Sequence, residues 1–254
     1  MTLHASAPKP SGPLTLAFLA VLQDQTGWLG GYLVTNGWGR PLKLSLATKL
    51  EALEHPAWML EWLRHGTPYF SNWAKYAGPN ASAEQVADLV AYQNRAPMTW
   101  KHVERFRSIF KGNFVLKGIM HPDDAIRAHS LGVDGIMVSN HGARQLDNAP
   151  SPLHVLPAIR DAVGDKMTVM FDGGIRRGLD AIIALCMGAK FVFQGRPTLY
   201  GVTAGGIPGA KTALGIFRRE IDISMAQIGA TRISDLGPHY LMWKDEEDLR
   251  RNRR

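Results

Sequence analysis

Cysteine is almost missing: Cys186 is the single one in 254 residues. No intramolecular disulfide can form, so a hydrophobic core must hold the fold, and a reducing compartment is expected. Cys186 sits in the apolar run IIALCMGA, the setting of a buried, unreactive thiol. Long apolar runs are missing too. The longest early one, LTLAFLAVL at 14–22, is too short to cross a bilayer. A single lysine precedes it and no small-residue cleavage site follows, so it makes a poor signal peptide. The expected location is the cytoplasm. The nine histidines show no HxxxH spacing and no cysteine cluster, which argues against a metal site. No GxSxG elbow is present, so a serine-hydrolase centre of that type is excluded.

Acidic charge is in short supply. The net charge is +7, but Arg250, Arg251, Arg253 and Arg254 supply four of those charges. The body is only mildly basic, and no basic patch interleaved with aromatics supports nucleic-acid binding. Hydrophobic residues make up 45% of the chain, ample for a sizeable core.

From residue 112 a rhythm sets in. Strands are expected at NFVLKGI (113–119), DGIMVSN (134–140), MTVMFDGG (167–174) and KFVFQGR (190–196). Helices are expected from Pro122, near 152–163, near 177–187, and in segments from 197 to about 229. Strands apolar on both faces that alternate with helices mean parallel βα units. Residues 1–111 do not keep this beat. SAEQVADLVAYQ (82–93) reads as a helix opened by a Ser82–Gln85 capping box. TWKHVERFRSIF (99–110) is another, with Trp100, Val103, Phe106 and Phe110 near one face. The stretch 43–66 is helical and broken at Pro56, and a weak strand is expected at 30–35. A full (β/α)₈ barrel takes about 250 residues. The length fits one, but only four βα units are visible, and the strand count decides: the fold class is α/β, a partial TIM-type barrel.

Chemistry in such folds gathers at the carboxyl ends of the strands. Lys117 stands at the first, where it faces a ligand or is a plain surface lysine. His141 and Arg144 follow the second. A histidine there can act as a base near neutral pH, and an arginine can grip a carboxylate with two hydrogen bonds. An ordinary polar loop is the alternative. DGGIRRG (172–178) follows the third strand, and its Gly173 and Gly174 offer backbone N–H groups at a helix start, with Arg176 beside them. Gly195 and Arg196 follow the fourth. Two successive strand ends with glycine and arginine suit the phosphate site that barrels build after their last strands. His102, His129 and His154 lie in helical patterns and are expected on the surface, while His4, His55, His65, His121 and His239 have no useful spacing.

FVLKGI, GIMVSNHGARQLD, FDGGIRRG and FQGRPTLYG, in this order, resemble the FMN-dependent α-hydroxy acid dehydrogenases and oxidases, among them glycolate oxidase, L-lactate dehydrogenase and mandelate dehydrogenase. AQIGATRISDLGPHYL (226–241) resembles their carboxyl-terminal helix and tail. The resemblance implies FMN as cofactor and oxidation of an L-2-hydroxy acid of lactate or mandelate type to the 2-oxo acid. It implies that Lys117 and Ser139 touch the flavin and that Arg144 clamps the substrate carboxylate. His141 takes the hydroxyl proton while hydride goes to flavin N5; an older carbanion scheme uses the same histidine. Asp172, Gly173, Gly174, Ile175, Arg176, Gly195 and Arg196 hold the ribityl chain and phosphate. Oxygen, a quinone or a cytochrome takes the electrons, and the intact family forms homo-oligomers.

The chain departs from that family before NGWGRPLKLS (36–45), which resembles the stretch just after the family's fourth strand. Strands 1 to 4 have no counterpart, nor do two substrate-side tyrosines and the aspartate that pairs with the histidine. The expected division is an unmatched segment 1–35, a helical loop region 36–98, a half-barrel 99–241 and a charged tail 242–254. In some members the loop region contacts membrane, and Trp58, Trp62 and Leu63 suit that at the membrane's inner face; a helix packed on the body or on a sister subunit is the favoured expectation. Two further readings stay open: a non-catalytic half-barrel with exposed sheet edges, and a different phosphate-binding barrel, against which the His141–Arg144 pair speaks.

Overall fold

The computed structural model describes residues 46–66, 70–93, 98–144, 146 and 148–242. The strand expected at 30–35, the stretch 36–45 and the arginine tail lie outside the described residues. The chain divides into two compact units, Met1–Thr99 and Trp100–Arg254.

In the first unit, α1 (Leu46–Leu53) and α2 (Pro56–His65) are separated at Pro56, as expected. Proline lacks an N–H and fits only the first turn of a helix, so it starts a new one. α3 (Ser71–Ala77) and α4 (Ala83–Gln93) follow. The capping box is present: Gln85 N donates to Ser82 Oγ at 3.2 Å and Ser82 N donates to Gln85 Oε1 at 2.8 Å. Within this chain none of the residues of α2 is buried, and Trp58, Leu60, Trp62 and Leu63 are all exposed.

The second unit carries the βα rhythm. α5 (Trp100–Ile109) leads into β1 (Val115–Ile119), α6 (Pro122–Ser130), β2 (Gly135–Val138), α7 (Pro152–Val163), β3 (Thr168–Asp172), α8 (Gly178–Cys186), β4 (Phe191–Phe193) and α9 (Arg196–Ile228). All four strands are parallel and lie in sequence order, β1-β2-β3-β4. β2, β3 and β4 stop before their apolar runs do, and the residues at those ends enter the loops that build the site. β1 reaches the end of its run at Ile119, so Lys117 lies inside it rather than at its end, beside an irregularity at Gly118, whose φ is 94°. α9 breaks at Gly205 and Gly206 before Pro208.

One face of the sheet is dry. Ile136 pairs with Val169 and Val138 with Phe171 across β2 and β3, and all four are buried, together with Leu156 and Ile159 of α7. Burying such a side chain is worth about 1.5–3 kcal/mol. Cys186 is buried as expected, and burial pushes its thiol pKa up. On the other face, Lys117, Met137, Met170 and Phe191 form a row across all four strands. β4 departs from the both-face burial expected: Phe191 and Phe193 are exposed, since β4 has one strand neighbour among the described residues. β1 likewise pairs with a single strand there, so the sheet is open, as in part of a barrel. On α5 only Trp100 and Val103 of the expected apolar face are buried; Phe106 and Phe110 are exposed. His102 is half-buried rather than on the surface, whereas His129 and His154 are exposed.

Candidate active site at the strand ends

After β2 the chain makes an unusual turn. His141, Gly142 and Ala143 have φ of 56°, 66° and 59°, three successive residues in the left-handed region. A side chain there costs about 1–2 kcal/mol per residue, so surrounding bonds must hold the turn. Three such bonds are present. His141 N donates to Ser139 Oγ at 3.1 Å, Ala143 N donates to Asn140 Oδ1 at 3.1 Å, and Arg196 Nη2 donates to the Gly142 carbonyl at 3.2 Å. The abrupt end of the apolar strand thus turns His141 and Arg144 out over the sheet.

Beneath the turn lies a polar cluster contributed by three strands. Lys117 Nζ donates to Ser139 Oγ at 2.6 Å, and it forms an ion pair with Asp172 Oδ2. Ser139 Oγ donates to the other Asp172 oxygen. Ser139 is 2% exposed, the buried polar side chain of this core, and its bonds explain how it is tolerated there.

After β3 the chain turns through Gly173 and Gly174, with φ of 107° and 78°. A Cβ at Gly173 would stand 3.0 Å from Pro152 Cγ. Asp180 Oδ2 accepts from the amides of Arg176 and Arg177, each at 2.8 Å, and Glu220 Oε2 accepts from the amide of Gly178 at 2.8 Å. The helix start is therefore capped by the protein's own carboxylates. The amides of the glycine turn itself, at 173–175, among them the two expected to form an anion nest, have no side-chain cap among the described residues.

A cavity of about 370 Å³ lies over these ends, within the range of small-molecule sites. It is lined by nine of the expected residues: Lys117, His141, Arg144, Asp172, Gly173, Gly174, Ile175, Gly195 and Arg196. Two stand apart. Ser139 lies underneath, bonded to Lys117 and Asp172, and Arg176 is exposed outside the lining. Desolvation by the surrounding protein holds the His141 imidazole below its usual pKa, and the Lys117 and Arg144 cations push the same way against the pull of Asp172. A histidine so placed is neutral at neutral pH and able to accept a proton.

The sequence pattern of FMN-dependent dehydrogenases matches residues 32–243. The chain belongs to the FMN-dependent dehydrogenase family. It is 37% identical over 201 residues to the (S)-mandelate dehydrogenase of Pseudomonas putida, covering 79% of this chain and 50% of that one. It is 40% identical over 188 residues to an L-lactate dehydrogenase of Azorhizobium caulinodans, covering 74% and 50%. Among solved structures it is similar to the monotopic membrane protein (S)-mandelate dehydrogenase, with 36% identity and a TM-score of 0.78 over 84% of this chain and 56% of that one. A mutant flavocytochrome b2 with pyruvate bound is also similar, with 37% identity and a TM-score of 0.56 over 63% of this chain and 43% of that one. The chain spans about half the length of the curated relatives it matches.

The cavity's donors fit the family's cofactor. An ammonium at Lys117, a guanidinium at Arg196 and open amides in the glycine turn suit a phosphorylated, electron-accepting ring system. Gln194 lines the same cavity, and its Oε1 is buried with no hydrogen-bond partner among the described residues, an acceptor suited to a hydroxyl. Gln194 is not among the site residues expected from sequence, nor are Asn140, Asp180 and Glu220. Asn140 carries a signal, since asparagine readily caps a turn two or three residues on. Glu220 carries none, being 42 residues from its partner.

Proposed function

We propose that this chain contributes the FMN-binding and substrate-oxidising strand ends of a 2-hydroxy acid dehydrogenase or oxidase, acting on an L-2-hydroxy acid of lactate or mandelate type. The observation that carries this reading is one cavity lined from four consecutive strands: Lys117, His141 with Arg144, the turn at 172–175, and Gly195 with Arg196. The half-barrel from about residue 99 to 241 is the working part, and Lys117, Ser139, Asp172, Gly173, Gly174, Ile175, Gly195 and Arg196 are its cofactor side. Arg176 joins them only if its exposed side chain swings inward.

FMN, when bound, supplies the two-electron sink for the substrate's α-hydrogen. The chain's own residues do the rest. Arg144 holds the substrate carboxylate and so fixes which carbon faces the cofactor. His141 accepts the hydroxyl proton on its imidazole, and its depressed pKa keeps it neutral and ready. Lys117, held over the sheet by Ser139 and Asp172, presents positive charge where electron density gathers. Asp172 balances the imidazolium that forms on His141.

The purified protein is expected to be yellow, and its flavin absorbance to bleach when L-lactate or L-mandelate is added without oxygen. His141→Ala should keep the colour and slow bleaching by roughly 10²–10⁴-fold. Bleaching at the original rate would remove His141 from its role. Oxidation of the bleached protein by air, a quinone or a cytochrome identifies the electron acceptor.

A second reading is favoured by β1 and β4, each with one strand neighbour among the described residues, and by the exposed Phe191 and Phe193. In it the chain is a half-barrel without catalysis of its own, and a colourless product supports it. The bare α2, with Trp58, Trp62 and Leu63 exposed, supports peripheral contact with a membrane. No described helix is long and apolar enough to cross one.

A further inference from the structure

We propose that Glu220, on α9, is a positioning residue that sets the phosphate-binding turn after β3. The inference rests on the reading of that turn as the FMN phosphate site.

The turn at 173–177 is anchored at its start, at its own last two amides by Asp180, and just past its end. Asp172 fixes its start through Lys117 and Ser139. Just past its end is the first residue of α8, Gly178, and the side chain that holds that amide comes from α9. Glu220 Oε2 accepts from Gly178 N at 2.8 Å, and the other carboxylate oxygen pairs with the Arg177 guanidinium. The Glu220 side chain is 21% exposed, and Gly178 is buried. The two backbones touch here: a Cβ at Gly178 would stand 2.6 Å from Glu220 Cβ and 2.6 Å from the amide nitrogen of Ile221. Only glycine permits that approach, and the approach is what lets the carboxylate reach the amide.

The consequence is a division of labour among successive amides. Those of 176 and 177 go to Asp180 and that of 178 goes to Glu220. With the helix start satisfied internally, the glycine turn lines the cavity with its own amides left to a ligand rather than to a side chain. Donors of a phosphate must sit within a few tenths of an ångström of their place, and a misplaced set loses affinity about 10–100-fold. The Gly178 amide, then Arg177, keep the Glu220 carboxyl below its ordinary pKa, so the clamp is charged at neutral pH.

Flavin fluorescence titration of the full chain with FMN and with riboflavin separates this role from simple support of the fold. The two ligands share ring and ribityl chain and differ in the phosphate. Wild type should prefer FMN; equal affinity for both would overturn the phosphate reading itself. Glu220→Met keeps the side chain's length and removes the acceptor. It should bind riboflavin as wild type does and lose at least about tenfold in the FMN-to-riboflavin preference. Glu220→Gln keeps an acceptor for Gly178 and should hold the preference within about threefold. An unchanged preference in Glu220→Met overturns the Glu220 role while leaving the phosphate site standing. If Glu220→Met does not fold, Glu220→Ala is read the same way: a lost FMN preference with riboflavin binding kept supports the clamp, and an unchanged preference overturns it.

Discussion

α2 and α7 begin alike and end differently. Each opens on a proline, as PAWMLEWLRH and PLHVLPAIRDAV, and each has one apolar face. α7 buries Pro152, Leu156, Ile159 and Val163, while α2 buries nothing. An amphipathic pattern states which face of a helix can be covered; whether it is covered depends on what the rest of the chain brings to it. α7 meets β2, β3 and α6. Leu156, with no exposed surface, and Leu60, 53% exposed, are thus equal in the pattern and unequal in the structure. Leu156→Ala should cost about 2–5 kcal/mol in urea unfolding. Leu60→Ala should change stability by no more than about 0.5 kcal/mol. Equal losses would dissolve the distinction between the two helices.

A second contrast concerns charge at the strand ends. Because desolvation and two neighbouring cations disfavour its protonated form, His141 titrates below 6.5. The rate of flavin bleaching at low substrate should fall about tenfold per pH unit below that pKa and stay level above it. The same depression bears on stability. The folded state favours neutral His141, so the unfolded chain binds the proton more readily. That contribution is present above pH 6.5 and is lost as pH falls through the folded value. A limb that moves above 6.5 would mean that Asp172 outweighs desolvation and the two cations together.

The sheet unit is largely legible in the sequence, because its signals are local. Pro122 opens α6, Pro152 opens α7, and the short apolar runs that alternate with these helices are strands. The cluster of Lys117, His141, Arg144, Gly173 and Arg196 is legible for the same reason: parallel βα units send all their carboxyl ends to one side. What the sequence hides is decided at a distance. Nothing near Phe191 or Phe193 shows that their strand lacks a second neighbour among the described residues. Nothing in DGGIRRG shows that Asp180 and Glu220 take the amides of 176–178. The left-handed His141 and Ala143 are held by Ser139, Asn140 and Arg196, and only the glycine between them announces such a turn.

Gly142 and Gly66 extend the comparison to the backbone. Their φ values are 66° and 71°, but Gly142, with ψ of 32°, is left-handed helical, where alanine costs about 1 kcal/mol, while Gly66, with ψ of −164°, is in a region essentially reserved for glycine, where alanine costs more, up to about 3 kcal/mol. Their surroundings differ. A Cβ at Gly66, which ends α2, meets nothing within 4 Å, whereas one at Gly142 stands 3.0 Å from Arg196 Nη2. Gly66→Ala should therefore lower the urea midpoint at least as far as Gly142→Ala does, and yet only Gly142→Ala should weaken FMN binding, by disturbing Arg196. Weakened binding in both would mean that the loss reflects general destabilisation.

The smallest effect on stability is expected at the bare face of α2. Trp58 and Trp62 are 57% and 42% exposed, and Leu63 is 65% exposed. Side chains that touch little in the folded protein leave little behind when removed, so Trp58→Ser with Trp62→Ser should shift unfolding by no more than about 0.5 kcal/mol. The same change should matter elsewhere. Transfer of each indole to a lipid interface is favourable, by about 1.5–3 kcal/mol for full burial. Sedimentation with phosphatidylcholine–phosphatidylglycerol vesicles should then fall at least about tenfold in the double variant. It should fall as far in high salt as in low, since the lost contact is apolar rather than ionic. A variant that sediments like wild type but unfolds far more easily would show that α2 is covered by protein, and the two helices would then differ only in which partner they wait for.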